Sequence, residues 1–409
     1  LIHPRSLLND GPQNFHNYDP ENFDGRFLGP IHADEALVRS RNLPAVALAD
    51  RLEGRGLYGL LQDGGVVLPR SAEYYGLALA LGGFEISPVE LAGLYAALAD
   101  DGLPRPLVYS TPPPPTPAVI KPLLSDSARH LVLEMLQGAA GIGADDGFGR
   151  ADPSVAWKTG TSHGFRDAWA AGVRGPYVMV VWLGNFDGRG NNALIARRCA
   201  VPLLFNLFSR LQLPVGPKRQ APAAVREVAL CAVSGELPGP WCRQQSSGSF
   251  IAGVSPIAMC RLHREILVDG QSGLRVASDD GRPGLRREVH EFWPPEQLEL
   301  FRQAGLPRRS PPPPEHGTDT LSGLDHGNAP EIVSPLAGRA YHLAGDEVIT
   351  LRAKTAPGVL KCYWFCGEAF IGSGDARDAL PWRPQQGTHV LRVIDDHGRS
   401  AEMTVRVGG

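Results

Sequence analysis

Three β-like runs follow one another with very little chain between them: Val155 to Thr161, Asp167 to Val173 and Tyr177 to Leu183. Arg174-Gly175-Pro176 forms a turn between the last two. Connections this short cannot hold a parallel crossover, which needs a dozen residues or more, so the three runs are expected to be antiparallel neighbours. The residues before them must then cover the sheet, and their pattern is helical. Ser87-Pro88-Val89-Glu90 is a capping box with Pro at the first helical position. Behind it Leu91, Leu94, Tyr95 and Leu98 recur on one face, and Gly102 offers a stop. Ser125 to Gly138 repeats the scheme with Ala128, Leu131, Val132, Met135 and Leu136. Thr111 to Pro117, between the helices, reads as an extended proline-rich surface loop. The fold class expected is α+β.

The texture of the 409-residue chain divides it into three zones. Residues 1–214 carry the helices and the sheet. Residues 215–327 have weak periodicity and three of the six cysteines, and they end in Arg308-Arg309-Ser310 and four prolines before a polar stretch. Residues 328–409 hold short β-like runs at Val348 to Ala353, Val359 to Phe365, His389 to Ile394 and Met403 to Val407. Turn signals such as Asp395-Asp396-His397-Gly398 separate them, which suggests a small Ig-like sandwich. A net charge of −3 gives no basic field to hold nucleic acid. Apolar runs such as Tyr177 to Gly184 are too short to span a bilayer.

The chemistry concentrates where the first strand ends, at Trp157-Lys158-Thr159-Gly160-Thr161-Ser162. Such a strand suits acyl transfer. The Lys158 ammonium attracts a substrate carboxylate and favours ionised neighbours, and the hydroxyls of Thr159, Thr161 and Ser162 hydrogen-bond that carboxylate. Gly160 omits a side chain where a substrate backbone lies flat against the strand margin. The Thr161 N–H can face a carbonyl oxygen as an oxyanion donor. The plain alternative is an ordinary polar strand end, with His163 as a solvated loop residue. Upstream, Ser40-Arg41-Asn42 joins two helical patterns, with Pro44 starting the second. An extended turn there would aim Ser40 and Asn42 at one cleft, Ser40 as proton relay and Asn42 to orient a lysine and a substrate amide. Helix capping by either residue is the competing structural reading.

Together these residues resemble the penicillin-binding protein transpeptidases, whose motifs are Ser-x-x-Lys, a Ser-x-Asn type and Lys-Thr-Gly. The similarity extends to Asn17 to Phe23, Phe27-Leu28-Gly29, Tyr75 to Gly83, Asp167-Ala168-Trp169 and Val181 to Asn185. The tail, with Cys260-Arg261-Leu262-His263 and then a small β module, is similar to that of bifunctional members, in which a membrane anchor and a glycosyltransferase come first. The resemblance implies a β-lactamase-like transpeptidase domain over residues 1–214, a connector over 215–327 and a C-terminal module over 328–409. It implies peptidoglycan cross-linking from D-Ala-D-Ala stem peptides on the periplasmic side of the inner membrane, and inhibition by β-lactams. Ser40, Asn42 and Lys158 would be catalytic; Thr159, Gly160, Thr161 and Ser162 would bind substrate. Neither a cofactor nor a metal is expected, and the module's partner would be a cell-envelope protein or a glycan.

One departure stands out: no serine in the chain begins Ser-x-x-Lys. Ser6 is followed by Leu-Leu-Asn, Ser71 by Ala-Glu-Tyr and Ser127 by Ala-Arg-His. In the family that motif lies just before a stretch like Leu1-Ile2-His3-Pro4, so the chain is expected to begin downstream of it and to be catalytically incomplete. A non-catalytic binding or scaffold role is the alternative. A lesser rival is the nucleophile elbow of α/β-hydrolases, because Gly160-Thr161-Ser162-His163-Gly164 fits Gly-x-Ser-x-Gly. Cys231, Cys242, Cys260 and His263 can be written as a metal set, but without a Cys-x-x-Cys pair a disulfide between two of the cysteines is the expectation. Cys362 and Cys366 would lie about 13 Å apart on a straight strand, too far to bridge.

Overall fold

The computed structural model describes every residue except 16–17, 110–120, 139–151, 212, 214–218, 316–328, 344–346, 357 and 409. The proline-rich segment Thr111 to Pro117 and the polar stretch after Glu315 lie outside the described residues. The chain divides into two compact units, Leu8–Ala223 and Leu1–Leu7 with Ala224–Gly409.

In the first unit, the strands β1 (Leu7–Asp10) and β2 (Gly29–His32) form a ribbon that leads into α1 (Ala33–Val38) and α2 (Asn42–Asp50). The short helices α3 (Gly56–Asp63) and α4 (Ala72–Tyr75) follow, then a 3₁₀ stretch over Gly76–Leu81. The helix α5 (Pro88–Ala99) carries the expected capping box, with Ser87 Oγ accepting from Glu90 N and Glu90 Oε2 accepting from Ser87 N. The helix α6 (Asp126–Gln137) starts on Ser125 as N-cap. The strands β3 (Ala156–Thr161), β4 (Asp167–Arg174) and β5 (Tyr177–Gly184) then form the antiparallel meander in that order. The helix α7 (Ala200–Arg210) closes the unit.

The sheet is covered on both faces, and its side-chain alternation explains how. Trp157, Ala168, Ala170 and Val181 share a core with Ala200, Val201, Leu204 and Phe208 of α7. Ala156 and Val173 point the other way, into a core with Leu133 and Leu136 of α6 and with Tyr95 and Leu98 of α5. Small residues on β4 let α7 approach closely. A Cβ at Gly172 would come within 3.1 Å of Phe208 and 3.2 Å of Leu204.

In the second unit, β6 (Val225–Cys231) pairs with β7 (Gln245–Ile251). The strand β8 (His263–Asp269) lies between β9 (Arg275–Val276) and β10 (Leu285–Glu291), followed by the helix α8 (Pro295–Gln303). The sandwich comes last. One sheet is β11 (Glu331–Ser334), β13 (Ile349–Lys354) and β16 (Leu380–Trp382). The other runs in the order β12 (Ala340–His342), β18 (Ser400–Gly408), β17 (Gly387–Asp395), β14 (Lys361–Cys366) and β15 (Ala369–Asp375). The pairing is antiparallel except that β12 lies parallel to β18. Trp364 and Trp382 are buried in the sandwich core.

The residues read as a connector and those read as a module share a second core: Leu230, Leu237, Phe250 and Ile257 pack with Tyr363, Phe365 and Phe370. The backbone joins them too, with Gly253 N donating to Phe370 O at 2.7 Å and Phe370 N to Ser255 O at 3.1 Å.

Candidate functional site

Sequence spacing could not bring residues 40 and 158 together, but the fold does. The Lys158 ammonium donates to Ser40 Oγ across 118 positions of chain, and to the Thr159 carbonyl at 3.0 Å. Lys158 sits on β3, at the margin of its sheet, where β4 is its partner on one side. Ser40 sits in the turn between α1 and α2. That turn is a Schellman closure: Arg41 N donates to Ala36 O at 2.9 Å and Ser40 N to Leu37 O at 3.1 Å. The closure needs a left-handed residue just past the helix, where glycine is the usual choice, and Ser40 takes it at φ 55°. A serine there costs roughly 1 kcal/mol more than glycine in backbone strain; the hydroxyl it supplies is the one that meets Lys158. Neither Ser40 nor Asn42 caps a helix, since Arg39 is the C-cap of α1 and Arg41 the N-cap of α2.

The residue between them holds the turn. Arg41 is buried, and its Nε donates to Asp10 Oδ2 at 2.8 Å, with Asp10 fully out of solvent. Arg41 Nη1 reaches Asp24 Oδ2 at 3.0 Å. Asp10 also accepts from Asn22 Nδ2 at 2.7 Å and from Leu28 N at 2.9 Å. Asn22 Oδ1 in turn accepts from Asn42 N at 2.8 Å. A chain of polar contacts from β1 therefore sets the path of Ser40-Arg41-Asn42. The Asn42 side-chain amide donates to Glu21 O at 2.6 Å, so the structure joins Ser40 directly to Lys158 and engages Asn42 locally.

Burial pushes the Lys158 amine down from its ordinary 10.5 to about 8, helped by the nearby positive charge of Arg197. An amine in that range exchanges protons near neutral pH while remaining largely a cation that attracts carboxylates. The neighbouring hydroxyls have partners: Thr161 Oγ1 accepts from Ala196 N at 3.2 Å and Ser162 Oγ from Asp167 N at 2.8 Å. Each hydroxyl keeps its own hydrogen for donation. Gly160 is exposed, and a Cβ there would meet Trp169 Cβ at an ordinary 3.6 Å, so the protein's own packing does not demand glycine. The hydrolase elbow fails on topology. Ser162 follows a strand of an antiparallel sheet and leads into a single 3₁₀ turn, His163–Phe165, where an elbow needs a parallel sheet and a helix. His163 is exposed.

The cysteine expectation is also overturned. Cys231, Cys242 and Cys260 are free thiols, and each sulfur lies 3.5 to 3.6 Å from one atom, His263 Nδ1. These four residues could hold a metal ion. The signal present in the sequence was the Cys260-x-x-His263 pair.

Residues 320–407 match the Penicillin-Binding Protein C-terminus Family, and residues 221–265 match the family described as Penicillin-binding protein 1A, C-terminal domain. Penicillin-binding protein 1C of Escherichia coli (strain K12) is 33% identical over 98% of this chain. The chain belongs to the penicillin-binding proteins. Penicillin-binding protein 1F of Bacillus subtilis (strain 168) is 31% identical over 49% of the chain. The crystal structure of penicillin-binding protein 1A from Haemophilus influenzae has the same fold, with a TM-score of 0.54 and 19% identity over 63% of this chain and 46% of that one. This penicillin-binding protein chain spans 53% of the length of the Escherichia coli relative and 29% of the Bacillus subtilis one. Among the described residues, no helix is long and apolar enough to cross a membrane.

Proposed function

We propose that the unit Leu8–Ala223 supplies the carboxylate-binding and proton-relay side of a peptidoglycan D,D-transpeptidase cleft. The observation that carries this reading is the Lys158–Ser40 hydrogen bond on a margin strand. In that reaction a serine attacks the penultimate D-Ala carbonyl, D-alanine leaves, and an amine of a neighbouring stem peptide takes the acyl group. Lys158 holds the terminal carboxylate, with donation from Thr159, Thr161 and Ser162. Ser40 passes a proton between Lys158 and the leaving or entering amine. Asn42 turns its amide to the substrate once it releases the Glu21 carbonyl. Groups on a strand face outward at alternate residues, so Thr161 N–H shares the direction of the Thr159 carbonyl and serves the oxyanion. Gly160 leaves room for the peptide. The site works on the periplasmic side of the inner membrane.

The attacking serine of such enzymes belongs to Ser-x-x-Lys, which these 409 residues do not contain. The expected behaviour of this chain is therefore recognition without acylation. Fluorescent penicillin should leave no band that survives denaturing electrophoresis. A peptide ending in D-Ala-D-Ala should bind, and Lys158→Met or amidation of the peptide's terminal carboxylate should weaken that binding about tenfold or more. A covalent band on the wild-type chain, or binding indifferent to both changes, would defeat the reading.

A further inference from the structure

The second unit contains a set of donors that the cleft does not use. Cys231 ends β6, Cys242 follows a turn in which its N–H donates to Gly239 O at 3.0 Å, and Cys260 N donates to Leu237 O at 2.8 Å. His263 opens β8. All four donor atoms lie within 4.8 Å of one another. The three cysteines are buried, packed with Leu262, Trp293 and Phe301.

The sulfur-to-nitrogen spacing fits a tetrahedron around an ion. Zinc–sulfur bonds of about 2.3 Å and zinc–nitrogen bonds of about 2.0–2.1 Å, at the tetrahedral angle, put sulfur and nitrogen about 3.6 Å apart. The observed separations are 3.5, 3.5 and 3.6 Å. A disulfide would draw two of the sulfurs to about 2.05 Å and leave the third thiol and the imidazole as buried remainders. The turn after Cys231 is shaped to serve a thiolate. Ser234 N–H points at Cys231 Sγ at 3.5 Å, a backbone donor placed against the sulfur's negative charge. Gly235 makes this possible at φ 71°, where a Cβ would lie 1.8 Å from the Arg5 carbonyl oxygen.

We propose that Cys231, Cys242, Cys260 and His263 bind one Zn²⁺ ion as a closed structural site. Three soft sulfurs and an imidazole select zinc over oxygen-seeking cations, and four protein ligands leave no open position for catalysis. On loading, three thiols give their protons to solvent and become ligating thiolates, with His263 ligating through Nδ1. The ion ties the end of β6, the turn before β7 and the start of β8 into one knot.

The test uses the whole chain, purified without chelator and refilled with Zn²⁺, and measures metal by mass spectrometry. About one zinc per chain is expected. Cys242→Ser should lose it, and Cys362→Ser should keep it. Replacement by Co²⁺ should give the strong visible bands of a tetrahedral thiolate site. His263→Cys should keep a bound ion with shifted bands, which separates loss of a ligand from loss of folding. Less than a tenth of a zinc per refilled wild-type chain would overturn the proposal. So would full zinc in Cys242→Ser, or a disulfide among the three cysteines in the unreduced digest.

Discussion

Replacing Arg41 by methionine tests whether the buried pair with Asp10 holds the Ser40 turn. The substitution keeps an unbranched stem of similar volume and removes the guanidinium. Asp10 then keeps the Asn22 and Leu28 donors but loses its counter-charge, with no exposure to solvent to compensate. Removing one partner of a buried ion pair costs about 3–5 kcal/mol, because the other charge is left uncompensated. Asp10→Asn should cost a similar amount from the opposite side. The double variant Asp10→Asn/Arg41→Met should cost less than the sum by about 2 kcal/mol, since the second change removes the stranded charge. With a denaturant slope of about 3 kcal/mol/M, each single variant should lower the urea midpoint of this unit by about 1–1.7 M. Hydrogen exchange of β3–β5 peptides across a urea series isolates the unit from the rest of the chain. Single losses below about 1 kcal/mol, or strict additivity, would refute the argument.

Ser40→Gly should relieve about 1 kcal/mol of backbone strain but remove the hydroxyl that accepts from buried Lys158, a hydrogen bond to a charged group worth about 1.5–3 kcal/mol, so the stability of the same unit should fall by about 1 kcal/mol; D-Ala-D-Ala peptide recognition should fall at the same time, and a thermal scan paired with a binding titration checks both. The lowered Lys158 pKa sets a pH window: between about 8 and 10.5 the unfolded chain holds a proton the folded chain has released, so stability rises with pH by of order 3 kcal/mol. The wild-type minus Lys158→Met difference in urea midpoint should carry that slope, and a flat difference would contradict it. Gly160→Ala should leave the thermal midpoint unchanged while weakening peptide binding, as its Cβ meets only ordinary contact inside the protein. Phe370→Ala should cost about 3–5 kcal/mol and expose both the β6–β7 hairpin and the sandwich to protease together, because the shared core joins them; cleavage confined to residues after 328 would refute that.

What could be read from the sequence was local. The capping box at Ser87, the Gly175-Pro176 turn and the alternation along Val155–Thr161 each act over a few residues, and the meander and its helices stand where those signals put them. Arg41 was illegible because a charged residue between two candidate site residues reads as solvated; its partner Asp10 lies 31 positions away. The left-handed Ser40 was hidden because nothing marks a serine as standing where glycine would be easier. The strands β12 and β16 are three residues long, β16 contains a proline, and β12 finds its partner in parallel at the far end of the module. The cysteine set was named from the sequence but ranked below a disulfide, because spacing without a Cys-x-x-Cys pair does not show that β6 and β8 bring the four donors together.

The meander stops at β3, and among the described residues no strand takes the far side of Lys158-Thr159-Gly160-Thr161. A row of amides and carbonyls without a partner strand is a template on which an extended peptide can lie down in register, as proposed above for the stem peptide. It is equally a template for any other extended chain, including a second molecule of the same protein caught half-folded. The same open margin that would admit a substrate strand is thus also the place where the sheet is open to mispairing.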